Sequence, residues 1–389
     1  MQKLPLFPVT QVGSWPRSSE LLRAQKKKRL GMLAPKEFEQ LADAAVLEVL
    51  KIQEKAGIDI VTDGEQRRDN FYSFVAEKLS GVKLMTMAEM LDVIEDKASF
   101  EKILKTLDVP AYSLSNPTCV GKLQLREPLA LNELRFLREH TDKPVKIPLP
   151  GPYLLTRAMF VKEVSRPHYR SKEELSVDVV RILREEITAL VKAGADFIQL
   201  DEPVLTEVAF SRGSTRTFMC ASLAASGDPK EELEFAVKLV NQVLAGFEKS
   251  MTGLHICRGN WSKDESTLLQ GNYSPLKPYL EQLKVQQLVL EYATERAGDV
   301  MKFEGKSLGL GVVNPRVDRV ETPEEIVEMV QQALKLYAPD QIYLNPDCGF
   351  GTFSNSPVAS SAIAALKLQA MVGAAKQLRK THKLPTKKK

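Results

Sequence analysis

Four cysteines in 389 residues, at 119, 220, 257 and 348, are too few for a disulfide framework. No stretch approaches the roughly eighteen unbroken apolar residues that a membrane helix needs. The N-terminus, MQKLPLFPVT, lacks an apolar core of signal-peptide length, so no export is expected and a cytoplasmic location is the default. No G-x-G-x-x-G follows the first strand candidate, which argues against an open dinucleotide-binding sheet. No Gly-, Ser- or Pro-rich linker divides the chain. Basic and aromatic residues do not interleave in the manner of a single-strand nucleic-acid binder.

What is present is an ordinary globular composition, 43% hydrophobic and 27% charged, with a net charge of +4. Much of that charge sits in the tail from Lys376 to Lys389. Such a tail can touch nucleic acid or a membrane surface, but a solvated, flexible terminus is the expectation, and neither partner is expected for the body of the protein.

One module recurs: an amphipathic helix, a glycine, then a short apolar strand ending in acidic or metal-binding residues. In the first copy Pro35 opens the helix, Phe38, Leu41, Ala45, Val49 and Ile52 form the stripe, Gly57 ends it, and IDIVTDGE follows. In the second, Leu175, Val179, Ile182 and Leu190 lead through Gly194 to DFIQLDEP. A third runs from Pro229 through Leu233, Val237, Val240 and Leu244 to GLHICRG. A fourth runs from Pro323 through Ile326, Val330, Ala333 and Tyr337 to QIYLNPDCG. FPVTQVGS, PVKIPLPG, QQLVLEYA and SLGLGVVN are further strand candidates, and LQLREPL a weaker one. Alternating helices and strands imply parallel pairing. The expected fold is α/β, a single (β/α)8 TIM barrel over residues 1–375, with an insertion after the second β/α unit at roughly 83–125 and the basic tail at 376–389. LQLREPL is expected outside the barrel, as a hairpin or extra strand.

Polar residues concentrate where these strands end. In a barrel, Ser14, Asp63, Glu65, Asp201, His255, Cys257, Glu291 and Cys348 would converge on one mouth. His255 and Cys257 are two apart in a strand and face the same way, as a chelating pair must. Cys348 and Glu291 occupy matching strand-end places, and one His, two Cys and one Glu make a tetrahedral Zn²⁺ sphere. The plainer alternative is two inert buried cysteines beside a hydrogen-bonded histidine; an inert, structural role is the expectation for Cys119 and Cys220. Two thiolates and a carboxylate outweigh the charge of Zn²⁺. Such a zinc is a poor Lewis acid toward carbonyls, yet it can hold an incoming thiol as a nucleophilic thiolate. Glu291 would be the weakest ligand. Arg258 would offset the negative charge, or else lie at the surface.

The segments VGSWPRSSELLRA, TDGEQRRDNF, PLPGP, IQLDEP, HICRGN, LEYA and NPDCGFGT, in this order over about residues 7–375, resemble the C-terminal barrel of the cobalamin-independent methionine synthases. The resemblance implies methyl transfer to the thiol of homocysteine on zinc, with His255, Cys257, Glu291 and Cys348 as ligands. It implies that Ser14 holds the substrate carboxylate and that Glu65 and Asp201 hold its amino group. Two acids suit an ammonium and a hydroxyl suits a carboxylate. The alternative for Glu65 and Asp201 is salt bridging to Arg67 or Arg68.

Two departures concern the donor side. Full-length synthases carry a second, N-terminal barrel, for which this chain has no room. Their tryptophan beside the folate donor is replaced here by Ala158, and a histidine before a Ser-Pro-Arg has no counterpart in GVVNPRVD. The donor is therefore open between methylfolate and a methylated corrinoid protein or another small methyl donor. Competing readings are another zinc-dependent thiol alkyltransferase, such as an epoxyalkane–coenzyme M transferase, and a non-catalytic zinc or thiol binder. The paired acids favour an amino-acid thiol over a sulfonate. Homo-oligomerisation is left open.

Overall fold

The computed structural model describes residues 4–94, 97–98, 115–210, 227–260 and 262–382. Cys220, the end of the basic tail and the middle of the insertion lie outside them.

Among the described residues, eight strands form two sheets. β1 (Leu79–Thr86) and β2 (Ser115–Leu125) make an antiparallel pair. β3 (Lys146–Pro150), β4 (Phe197–Asp201), β5 (Thr252–Ile256), β6 (Gln287–Leu290), β7 (Ser307–Val313) and β8 (Ile342–Pro346) form a parallel sheet in sequence order. Six of the expected strands are thus the six members of the parallel sheet. LQLREPL falls partly in β2, outside that sheet, as expected; its partner β1 carried no sequence signal strong enough to single it out.

The first two expected strands appear as short parallel contacts. Val9 bridges Leu344 of β8, Thr10 bridges Ile60, and Val61 bridges Val145 just before β3. Side chains replace part of the backbone ladder here. Gln53 of helix Pro35–Ala56 accepts from the Thr62 N–H (3.0 Å) and donates to the Thr62 carbonyl (2.8 Å). Asp59 accepts from the Val9 N–H (2.8 Å). These buried backbone groups are satisfied, but pairing stops after one or two residues.

The recurrent modules hold. Pro35 opens the helix Pro35–Ala56, and Gly57 closes it at φ 89°, a left-handed cap that a glycine adopts without strain. Its buried face includes Phe38, Ala42, Val46, Val49 and Leu50, so the stripe is rotated from the expected one and Leu41, Ala45 and Ile52 are only partly buried. Ser171 caps the helix Lys172–Lys192, Asp228 caps Pro229–Leu244, and a Thr322–Glu325 capping box opens Pro323–Leu334. Tyr337, expected on that last helix, lies beyond its end but is buried. These helices pack apolar faces on the sheet, each buried Leu, Ile or Val side chain contributing roughly 1.5–3 kcal/mol. A small separate cluster, Val12, Ile60, Phe197 and Val289, fills the interior on the opposite side of the strands. No helix among the described residues is long and apolar enough to cross a membrane.

Candidate metal centre

The strand ends deliver the polar residues to one place. His255 is in β5, level with Asp201 at the end of β4. Cys257 lies just past β5, Glu291 just past β6 and Cys348 two residues past β8. One ligand atom each from His255, Cys257 and Cys348 falls within 4.8 Å of the other two, and all three residues are buried. Val12, Ser14, Glu65, Phe71, Asp201 and Asn260 line the same cavity.

The imidazole is oriented for a ligand. His255 Nδ1 is 3.2 Å from the Val289 carbonyl of β6, which fixes the proton on Nδ1. The buried Nε2 is left without a hydrogen-bond partner among the described residues, beside the two sulfurs. An orphaned imidazole nitrogen against two thiols is the donor set that a soft divalent cation takes. The Cys348 thiol donates toward the Cys257 sulfur, which holds the Cys257 thiol below its ordinary range and pushes Cys348 above it. The pair therefore already favours one thiolate. Burial disfavours the imidazolium of His255, but the neighbouring Cys257 thiolate, Asp201 and Glu291 raise its pKa overall.

Glu291 is beside this cluster and turned to a different set of partners. Its carboxylate accepts from the Arg258 N–H (2.9 Å) and lies 3.3 Å from Arg316 Nη1, 3.5 Å from Arg296 Nη2 and 3.6 Å from Arg258 Nη1. Burial opposes ionisation of Glu291, but Arg316, Arg296 and Arg258 outweigh it and hold its pKa low. Arg258 is fully buried over the Tyr273 ring (3.9 Å) and is not a surface residue.

Residues that the sequence reading did not single out tie the ligand-bearing loops together. Asp347 accepts from the Tyr292 and Ala293 N–H groups, both at 2.9 Å, joining the loops after β6 and β8. Asn260 Nδ2 donates to the Gly349 carbonyl (2.7 Å) and to Thr352 (2.8 Å), joining the loops after β5 and β8. Arg316 reaches Asn260, Glu291 and Asp347 at 3.2, 3.3 and 3.4 Å. Removing one member of a buried ionic network leaves the others uncompensated. Arg316→Met is therefore expected to destabilise the fold by about 3–5 kcal/mol, read as a shift of the urea midpoint. A midpoint within error of the unaltered protein would show the network to be energetically idle.

Glu65 and Asp201 share the cavity with Ser14, whose hydroxyl abuts Gly349. Glu65 adopts φ 53°, a left-handed conformation that strains a non-glycine residue by roughly 1–3 kcal/mol. It is held there by its N–H to Asp63 (2.9 Å) and by Arg17 on its carbonyl (2.7 Å). Its carboxylate makes no salt bridge among the described residues: Arg67 pairs with Glu39 and Asp43, and Arg68 with Glu133. Burial pushes Glu65 up to about 7 against the opposing charge of Arg68, and pushes Asp201 up to about 6 against His255. Neither acid forms a salt bridge among the described residues. Cys119, by contrast, is buried in the hairpin, its sulfur near the Gly121 carbonyl (3.1 Å). Ala158 is buried in helix Pro152–Met159, its carbonyl accepting from Asn116 (2.7 Å).

A dithiol–imidazole cluster and two buried acids thus meet at the C-terminal edge of a parallel sheet, in an arrangement that could hold a metal ion. Residues 7–377 match the family described as cobalamin-independent synthase, catalytic domain. Methionine synthases from Thermococcus kodakarensis and Pyrococcus abyssi are 31% and 30% identical, over 89% and 97% of this chain and 88% and 94% of theirs. A solved B12-independent methionine synthase from Shewanella sp. W3-18-1, in complex with selenomethionine, is 25% identical, with a TM-score of 0.71, covering 97% of this chain and 98% of that one. The chain belongs to the cobalamin-independent methionine synthase family.

Proposed function

We propose that the protein transfers a methyl group to the thiol of homocysteine, forming methionine, with Zn²⁺ held by His255, Cys257 and Cys348 and with Glu291 as the exchangeable fourth ligand. The observation that carries the reading is the buried cluster of His255, Cys257 and Cys348, which shares one cavity with Glu65 and Asp201. We further read the bridged segments at Val9–Thr10 and Ile60–Val61 as completing a (β/α)8 barrel, with residues 1–375 as one domain and 376–389 as its tail.

Zinc, when bound, lowers the pKa of the substrate thiol so that sulfur is held as thiolate near neutral pH. The rest falls to this chain's own groups. Glu65 and Asp201 hold the ammonium, and Ser14 holds the carboxylate, so that the sulfur is presented to the cluster in one orientation. Arg258, Arg296 and Arg316 neutralise Glu291, so that a site with two thiolates and a carboxylate does not carry uncompensated negative charge. In the reaction a new S–CH₃ bond forms as the donor's bond to the methyl breaks.

The test is incubation with L-homocysteine and a panel of donors, methylfolate and a methylated corrinoid protein among them, with methionine detected by mass spectrometry. Methionine formation with at least one donor is expected. Tight homocysteine binding without turnover on any donor would mark a non-catalytic thiol binder, and turnover of coenzyme M in preference to homocysteine would mark another alkyltransferase.

A further inference from the structure

Lys146, the first residue of β3, is fully buried on the interior of the sheet. Its ammonium lies 4.9 Å from the centre of the Phe197 ring, and Nζ donates to Gln199 Oε1 at 3.1 Å. Gln199 is also fully buried, and its Nε2 donates in turn to Asp201 Oδ1 (2.8 Å) and to the Val12 carbonyl (3.0 Å). A carboxamide has two unlike ends, and an ammonium can only donate. Lys146 on one side and the Val12 carbonyl on the other therefore both require the oxygen of Gln199 to face the ammonium, which turns the NH₂ to the carboxylate. Turned over, the amide would set its oxygen against Asp201 and the Val12 carbonyl and its NH₂ against the ammonium, losing all three bonds in a buried place where each costs about 1–3 kcal/mol.

Burying a lysine is unfavourable, and no carboxylate among the described residues forms a salt bridge with Lys146. Burial pushes it down to about 7, with the charge of Asp201 opposing. Its contact with the hydrophobic cluster of Val12, Ile60, Phe197 and Val289 is the Phe197 ring face. The line Lys146–Gln199–Asp201 leads straight to the cavity that holds His255 and Cys257.

We infer that Lys146 is a positioning residue which, together with the Val12 carbonyl, locks the orientation of the Gln199 carboxamide and so fixes the Asp201 carboxylate for the ammonium group of the substrate thiol. This rests on the amino-acid reading of the site given above.

The test is calorimetric titration of the zinc-loaded protein with L-homocysteine and with 4-mercaptobutanoate, the same thiol acid without the amine. Lys146→Met is expected to weaken L-homocysteine about tenfold, the loss of one hydrogen bond to a charged group, and to leave 4-mercaptobutanoate within about twofold. Gln199→Leu, which serves also where Lys146→Met does not fold, is expected to do the same. The double variant is expected to be no weaker than the poorer single one, because both break one line. Zinc content should not change. Equal weakening of both thiols, or unchanged L-homocysteine affinity in a folded Lys146→Met protein, would overturn the inference. Asp201→Asn separates the two readings. Loss there without loss in the Lys146 and Gln199 variants overturns the relay alone. No loss in any of the three overturns the ammonium assignment and the relay with it.

Discussion

Cys257→Ser and Cys348→Ser are each expected to leave the protein with less than about a tenth of the zinc of the unaltered chain and to reduce the proposed thiol methylation at least about a hundredfold. The expectation follows from the way the site is built. The His255 ring is held by the Val289 carbonyl, and the loops bearing the two sulfurs are locked through Asn260, so a lost sulfur cannot be replaced by a neighbour moving in. Serine keeps the volume and polarity near those of cysteine but binds soft cations poorly at neutral pH. Cys119→Ser is the matched control: it removes a buried thiol from the hairpin, and metal content should stay at the unaltered value. Elemental analysis of the three variants, each checked for a native-like thermal transition, decides the matter. Zinc retained in full by Cys257→Ser and Cys348→Ser would place the metal elsewhere.

Glu65→Gln is expected to weaken L-homocysteine by about a hundredfold, within the roughly 2–5 kcal/mol that breaking a buried charged pair costs. Only the ionised carboxylate attracts an ammonium. Burial raises Glu65 to about 7 and so places its titration in the working range. The sign is definite: affinity is full above about pH 7 and falls as pH drops through it, by up to about tenfold per unit, because the protonated acid predominates. The amide introduced by Glu65→Gln does not titrate, so in that variant the pH dependence near 7 should become shallower, with the part owed to Asp201 near 6 remaining. The amine-free thiol acid should bind Glu65→Gln and the unaltered protein alike at every pH. Isothermal titration across about pH 5.5 to 8.5 reads all three. A Glu65→Gln protein that binds L-homocysteine as tightly as the unaltered one would show that the amino group is held elsewhere.

The fold was legible where one interaction type dominated. Short apolar runs located β3 to β8, and Pro35, Pro229 and Pro323 marked three helix starts. The pattern misjudged the buried face of helix Pro35–Ala56, because alanines on both sides of the stripe are compatible with either rotation. It also could not see that Gln53 and Asp59 would take over backbone bonds at the first two strands, since that pairing exists only in three dimensions.

Within the site, His255, Cys257 and Cys348 were readable because metal ligation demands rare residue types at strand ends. Arg316, Asp347 and Asn260 were not. Arginine, aspartate and asparagine are ordinary loop residues, and only contact with one another distinguishes these three. Two local signals did exist: Asp347 adjoins Cys348 in NPDCG, and Asn260 follows Cys257 by three in HICRGN. Lys146 carried a third signal, a lysine heading an otherwise apolar strand, KIPLP.

Zinc K-edge X-ray absorption of the purified protein, with and without L-homocysteine, tests the central claim most directly. The account predicts two sulfur ligands per zinc in the resting protein, with nitrogen and oxygen completing a four-coordinate sphere, and three sulfur ligands once the substrate thiol is added. An unchanged sulfur count on saturation with L-homocysteine, or protein that takes up no zinc at all, would contradict it.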